Sequence, residues 1–142
     1  MELIGDKFCV TKTASGAINI GDVLYVLATG LVAKTTAANQ YNVVGVANSG
    51  AAAGDFVNII TNGLANVVCS EVISAGDLVG SAADGRVAKV TPGHTHTENT
   101  NITYTQNATT ASATEIAAHA KIGKALGTTT AAGETLQILL CL

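Results

Sequence analysis

The 142-residue chain has no tryptophan, one proline, one methionine and only 4% aromatic residues. With no Trp and three Tyr, it offers few of the exposed rings on which sugar sites are usually built. Charged residues make up 12%, about half of the ~25% usual in soluble domains. Seven Lys and Arg stand against ten Asp and Glu, a formal net charge of −3, and no basic cluster occurs. That balance excludes an electrostatic nucleic-acid interface. No apolar run approaches the ~18 residues of a membrane span, and the opening stretch, with Glu2, Asp6 and Lys7, lacks the apolar core of a signal peptide. Cys9, Cys69 and Cys141 are odd in number and have no metal-type spacing. They read as three free, mostly buried thiols of a protein made in a reducing cytoplasm, with an intermolecular disulfide as the alternative. Also missing are a Gly-x-Ser-x-Gly elbow, a phosphate-binding glycine loop and a recognisable Cys–His arrangement. These absences predict a protein that is not an enzyme and carries no cofactor.

What the chain does have is small residues and a recurring phrase. A small or apolar residue is followed by Gly, then an acid, then mostly apolar residues. The phrase occurs at Gly21-Asp22, Gly54-Asp55, Gly76-Asp77 and Gly133-Glu134. Glycine reaches backbone angles closed to other residues, and the adjacent carboxylate can cap the turn it makes. Each phrase therefore reads as a turn that launches a strand.

The copies are related. Residues 20–34 and residues 75–89, 55 positions on, agree at seven of fifteen places. Val44-Gly45-Val46-Ala47 before Gly54 likewise matches Ile122-Gly123-Lys124-Ala125 before Gly133, but at an offset of 78, so about 23 residues are inserted in the second copy. The expected organisation is one all-β domain, a small barrel or sandwich with an internal pseudo-repeat. Its parts are an N-terminal segment 1–17, a first copy 18–61, a second copy 73–142 and a polar insert at about 91–114.

Strand-like composition marks 7–12, 23–28, 43–47, 55–61, 64–70, 77–81, 86–90 and an alternating run near 135–140. Asp84-Gly85 and Asn62-Gly63 are two-residue hairpin signals, and Thr29-Gly30 stands where Asp84-Gly85 does. About ten short strands are expected. The only helical hint is 113–120. The insert is rich in Thr and Asn, holds the single proline, Pro92, and lacks the aliphatic bulk for a core of its own, so it reads as a projecting loop.

Few residues invite chemistry. His94 and His96 would share a face of a strand, and two from each of three chains could hold a metal on a three-fold axis; two solvated loop histidines are the plainer account. The four turn carboxylates occupy repeated positions, whereas a catalytic pair needs contrasting environments. Capping is the stronger explanation for them. Leu3, Ile4, Phe8 and Val10 make the N-terminal segment too apolar for a free tail. They are candidate contacts to another subunit or to a shell, through strand addition at an exposed edge, with completion of the chain's own barrel as the alternative.

Ile73-Ser74-Ala75-Gly76-Asp77-Leu78-Val79, then Arg86-Val87-Ala88-Lys89-Val90, then Ile122-Gly123-Lys124-Ala125-Leu126 and the closing run 132–140 together resemble the small capsid cement, or head decoration, proteins of tailed bacteriophages. The resemblance covers roughly 16–90 and 120–142, and the long Thr/Asn insert departs from it. It implies a β-barrel-like domain without enzymatic activity, trimers on the outside of an icosahedral shell, and the major capsid protein as partner. On this expectation the protein is made in the host cytoplasm and ends on the virion exterior, with no nucleic-acid or membrane partner. A host-recognition or carbohydrate-binding module of a spike or fibre is the alternative.

Overall fold

A computed structural model describes residues 7–38, 42–90 and 121–142. Nine strands lie among them: β1 (Lys7–Thr13), β2 (Val23–Val26), β3 (Val32–Lys34), β4 (Val43–Ala47), β5 (Phe56–Val68), β6 (Leu78–Ser81), β7 (Val87–Lys89), β8 (Lys121–Ala125) and β9 (Thr135–Cys141). They form one curled antiparallel sheet in the order β3-β2-β4-β5-β9-β8-β6-β7, with β1 added to β5. The all-β reading, the single small domain and the pseudo-repeat are all present. The insert at about 91–114 and the helical hint at 113–120 lie outside the described residues.

The register defines two units. In the first, β1 pairs with β5 so that Cys9 faces Ile60, Val10 faces Ile59, Thr11 faces Asn58, Lys12 faces Val57 and Thr13 faces Phe56. In the second, Leu64 faces Leu139, Ala65 faces Ile138, Asn66 faces Gln137, Val67 faces Leu136 and Val68 faces Thr135. These are the same five pairs, moved on by 55 positions in one strand and 79 in the other. The β2–β3 and β6–β7 hairpins match pair for pair. The β2–β4 and β6–β8 ladders even share a bulge after Leu24 and its counterpart Val79. Each unit curls until the residue after its first strand meets its hairpin, through the bridges Ala14 to Val32 and Cys69 to Val87.

The correspondence therefore begins at Lys7, ahead of residue 18 where the motifs start. β1 is the first strand of the N-terminal unit, and the second half of β5 does the same work in the C-terminal unit. One long strand serves both: residues 56–61 close the first unit and 62–68 open the second.

That sharing overturns the hairpin expected at Asn62-Gly63. A two-residue turn needs flanks that pair with each other. Here the flanks pair with β1 and β4 before the dipeptide and with β9 after it. Gly63 takes a φ of 106°, which bends the strand without reversing it. Hairpins do form at Thr29-Gly30 and Asp84-Gly85, but each turns through three residues in place of two, because Leu27 N–H donates to Leu31 O and Ala82 N–H to Arg86 O. Gly21 and Gly76 sit at φ 91° and 92°. Each donates its N–H to the unit's fourth strand, to Ala47 O at 2.9 Å and Ala125 O at 2.8 Å.

Two apolar clusters follow from the two units. Ala14, Ile18, Leu24, Val32, Ala47, Val57 and Ile59 fill the inside of the N-terminal unit. Their counterparts Cys69, Ile73, Val79, Val87, Ala125, Leu136 and Ile138 fill the C-terminal one, in a larger cluster that also takes in Val23, Val46 and Ile60. Those three point the opposite way from Leu24, Ala47 and Ile59. The outside of the first unit thus packs on the inside of the second.

Candidate functional site

The turn carboxylates are bound locally, as caps are. Asp22 Oδ2 accepts from Asn19 N–H at 2.8 Å, Asp77 Oδ2 from Ser74 N–H at 2.9 Å, and Asp55 Oδ2 from Ala52 N–H at 3.4 Å. Glu134 accepts from Thr130 through both its N–H and its hydroxyl, each at 2.8 Å. They differ in electrostatics. Burial pushes the Asp22 carboxyl above its ordinary range, because the Asp84-Gly85 turn of the other unit closes over it; the Asn19 N–H and Lys34 pull the other way. The Glu134 carboxyl is held low by its bonds to Thr130. Asp84 is held low by Lys34, whose own ammonium is raised in return, in an exposed ion pair that ties the two units together.

A cleft of about 110 Å³ is lined by Lys7, Ile20, Asn48, Ile60, Asn66 and Gln137 among others. Small-molecule sites usually span ~300–1,000 Å³, so this cleft is no substrate chamber. Among the described residues no three His, Cys, Asp or Glu side chains gather as metal ligands, and no helix is long and apolar enough to cross a membrane. His94 and His96 lie outside the described residues, as do Leu3 and Ile4.

The candidate site is instead a surface. Phe8 is 57% exposed and Val10 44% exposed, both on β1, whose outer edge has no strand beside it among the described residues. Cys9 on the same strand and Cys141 at the end of β9 are exposed as well. This corrects the expectation of mostly buried thiols: only Cys69 is buried, where its Sγ lies 3.5 Å from the Thr129 hydroxyl. The other two ride on strand faces that nothing in the described chain covers.

A second patch lies across the outside of the C-terminal unit, and sequence reasoning missed it. Leu64, Leu139, Lys124 and Leu78 form one row across β5, β9, β8 and β6, each paired with the next. Leu139 is 44% exposed and Leu126, beside it, 45%. Alternation along 135–140 marks Leu139 as pointing away from the core, but a single outward leucine is ordinary, and only the pairing of the strands gathers it with Leu64 and Leu78 into a patch.

No protein-family model matches this chain, and no curated protein sequence does. In shape it is similar to the N-terminal base of the head fibre protein gp8.5 of bacteriophage phi29, with a TM-score of 0.58 and 14% identity over 94% of this chain and 93% of that one. At that identity the likeness establishes a shared fold.

Proposed function

We propose that this chain is a non-enzymatic structural component of a phage virion, seated as a homotrimer on the outside of the capsid and bridging neighbouring major capsid proteins. The observation that carries this reading is the fold shared with a phage head-fibre base along nearly the whole of both chains. The chain's low charge, its small cleft and its exposed apolar strands all favour action by contact. Many identical weak contacts on one particle would supply strength through multivalency.

That neighbour also favours a second reading, in which the domain is the foot of a projecting fibre. Direct sugar recognition has less support: the chain has no Trp, and Tyr25 is half-buried.

Incubating the purified protein with bare shells, then counting copies on the particle by cryo-EM, separates the readings. Occupancy comparable to that of the major capsid protein is expected for a bridging role. A few copies at fixed vertices would assign it to a fibre base. Absence from the shell overturns both.

A further inference from the structure

The joint between the two units is heterologous: it uses one surface of the first unit and a different surface of the second. On the first unit the row is Val23, Val46 and Ile60, all buried, Ile60 to 3%. On the second it includes Ala65 and Val67, which share the cluster with that row. A two-fold relation between the units would bury the counterparts as well. It does not. The counterparts of Val23, Val46 and Ile60 are Leu78, Lys124 and Leu139, on the open face of the second unit. The counterparts of Ala65 and Val67 are Val10 and Lys12, both exposed on the first. Gly21 shows the same asymmetry. A Cβ there would lie 3.1 Å from Asn66 O, whereas one on its counterpart Gly76 would meet nothing within 4 Å.

A chain built this way carries one unused copy of each half of its own joint. We infer that a second copy of this chain docks head to tail, with the row Leu64, Leu78, Leu139 of one copy against Phe8 and Val10 of the next. The occupant follows from continuity with the interface inside the chain, and a heterologous contact of this kind closes into a ring when its rotation allows. This deepens the oligomeric part of the proposed function and is independent of shell binding. In a homotrimer, six units would alternate joints within and between chains.

Two positions make the joint between chains weaker than the one within. Val67 and Val46 are replaced by Lys12 and Lys124, whose stems can lie on apolar surface while their charges seek water. Their mutual repulsion makes association strengthen as salt rises.

Sedimentation of the full chain at tens of micromolar is the first test. Val10→Glu and Leu139→Glu both change exposed residues, so each variant keeps the wild-type circular dichroism spectrum and melting curve. Each alone is expected to sediment as a monomer, at least tenfold weakened in association. Mixed in equal amounts they should recover a dimer, because the first keeps an intact leucine row and the second an intact β1. A self-complementary interface gives no such rescue.

The thiols give an independent readout. Cys9 and Cys141 correspond to positions 64 and 62 of one continuous strand, about 7 Å apart at strand spacing. Within one chain the two thiols also flank β5, since Phe8 and Cys141 both pair with Asn62. The test therefore uses an equal mixture of Cys9→Ser and Cys141→Ser, in which a short bis-maleimide can join Cys9 to Cys141 only between chains. Covalent dimers are expected in the mixture and in neither variant alone. A monomeric wild type, no rescue in the first mixture, no covalent dimer in the second, or covalent dimers in either cysteine variant alone overturns the inference. Failure here with normal shell occupancy would leave the proposed function standing; loss of occupancy with head-to-tail assembly intact would do the reverse.

Discussion

The two units of this chain share a pairing register and differ in what lies on top of it. Ile60 and Leu139 occupy the same place, each facing its unit's fourth strand, at Val46 and Lys124. One is sealed in the core and the other is 44% exposed. The backbone plan of a unit is thus indifferent to which side is covered. Burial is decided by the neighbour, and the N-terminal unit has one on its outer face because the chain continues through β5.

The comparison breaks most readily at Gly45 and Gly123. A Cβ on either would overlap a backbone carbonyl oxygen, that of Ile60 or of Leu139, and Gly45 also sits at φ +156°. Backbone cannot move aside as a side chain can. Gly45→Ala and Gly123→Ala should each cost more than ~3 kcal/mol, read as a collapse of the urea midpoint. Mild behaviour in one of them would mean that the two ladders are less alike than their registers.

Ile60→Ala and Leu139→Ala sharpen it next. The first empties a buried site and should cost ~2–4 kcal/mol. The second, measured at concentrations low enough to keep chains apart, should stay within ~0.5 kcal/mol of wild type. Equal losses would mean that Leu139 is covered within its own chain.

Thr129 offers a smaller contrast. Ile18 N–H and its counterpart Ile73 N–H both need an acceptor. Ile18 finds the backbone O of Ala51 at 2.8 Å, whereas Ile73 uses the buried Thr129 hydroxyl at 3.0 Å. Thr129→Val leaves that N–H unsatisfied and should cost ~1–3 kcal/mol, while Ala51→Thr, at the matching place, should change little. Chemical denaturation of the two variants checks this.

The smallest effect concerns Asp22. Its carboxyl is raised in the folded state, so the folded protein holds that proton more tightly than the unfolded chain does. Its contribution to stability is therefore greatest in acid and falls as pH rises through the carboxylate range. Asp84 and Glu134 are lowered, and theirs runs the opposite way, present at neutral pH and lost in acid. Asp22→Asn should remove the unfavourable component and leave stability at neutral pH unchanged or slightly higher. A drop in melting temperature at pH 7 with none at pH 4 would show that the ionised form is the one the fold favours.

Much of this was legible in the chain. The glycine-acid phrases marked turns that do launch strands after Gly21 and Gly76, and period-two alternation marked β9, whose burial alternates strictly. Both signals are local: a left-handed φ needs glycine, and a half-covered strand needs alternation. The dipeptide Asn62-Gly63 misled for the same reason. Its turn preference is local, and it is overridden by ladders on both sides that only distant segments supply. The exposed thiols escaped notice because a strand's composition does not say whether its faces are covered.

Sequence by itself determined that the protein is all-β, built on a repeated strand plan and poor in charge. Only the tertiary structure decided that β5 is shared, that the repeat starts at Lys7, and that Val46 is buried while its counterpart is Lys124. The reason is physical. Turn and strand preferences are set within a few residues, whereas burial depends on which unit of a repeat finds another to lie against.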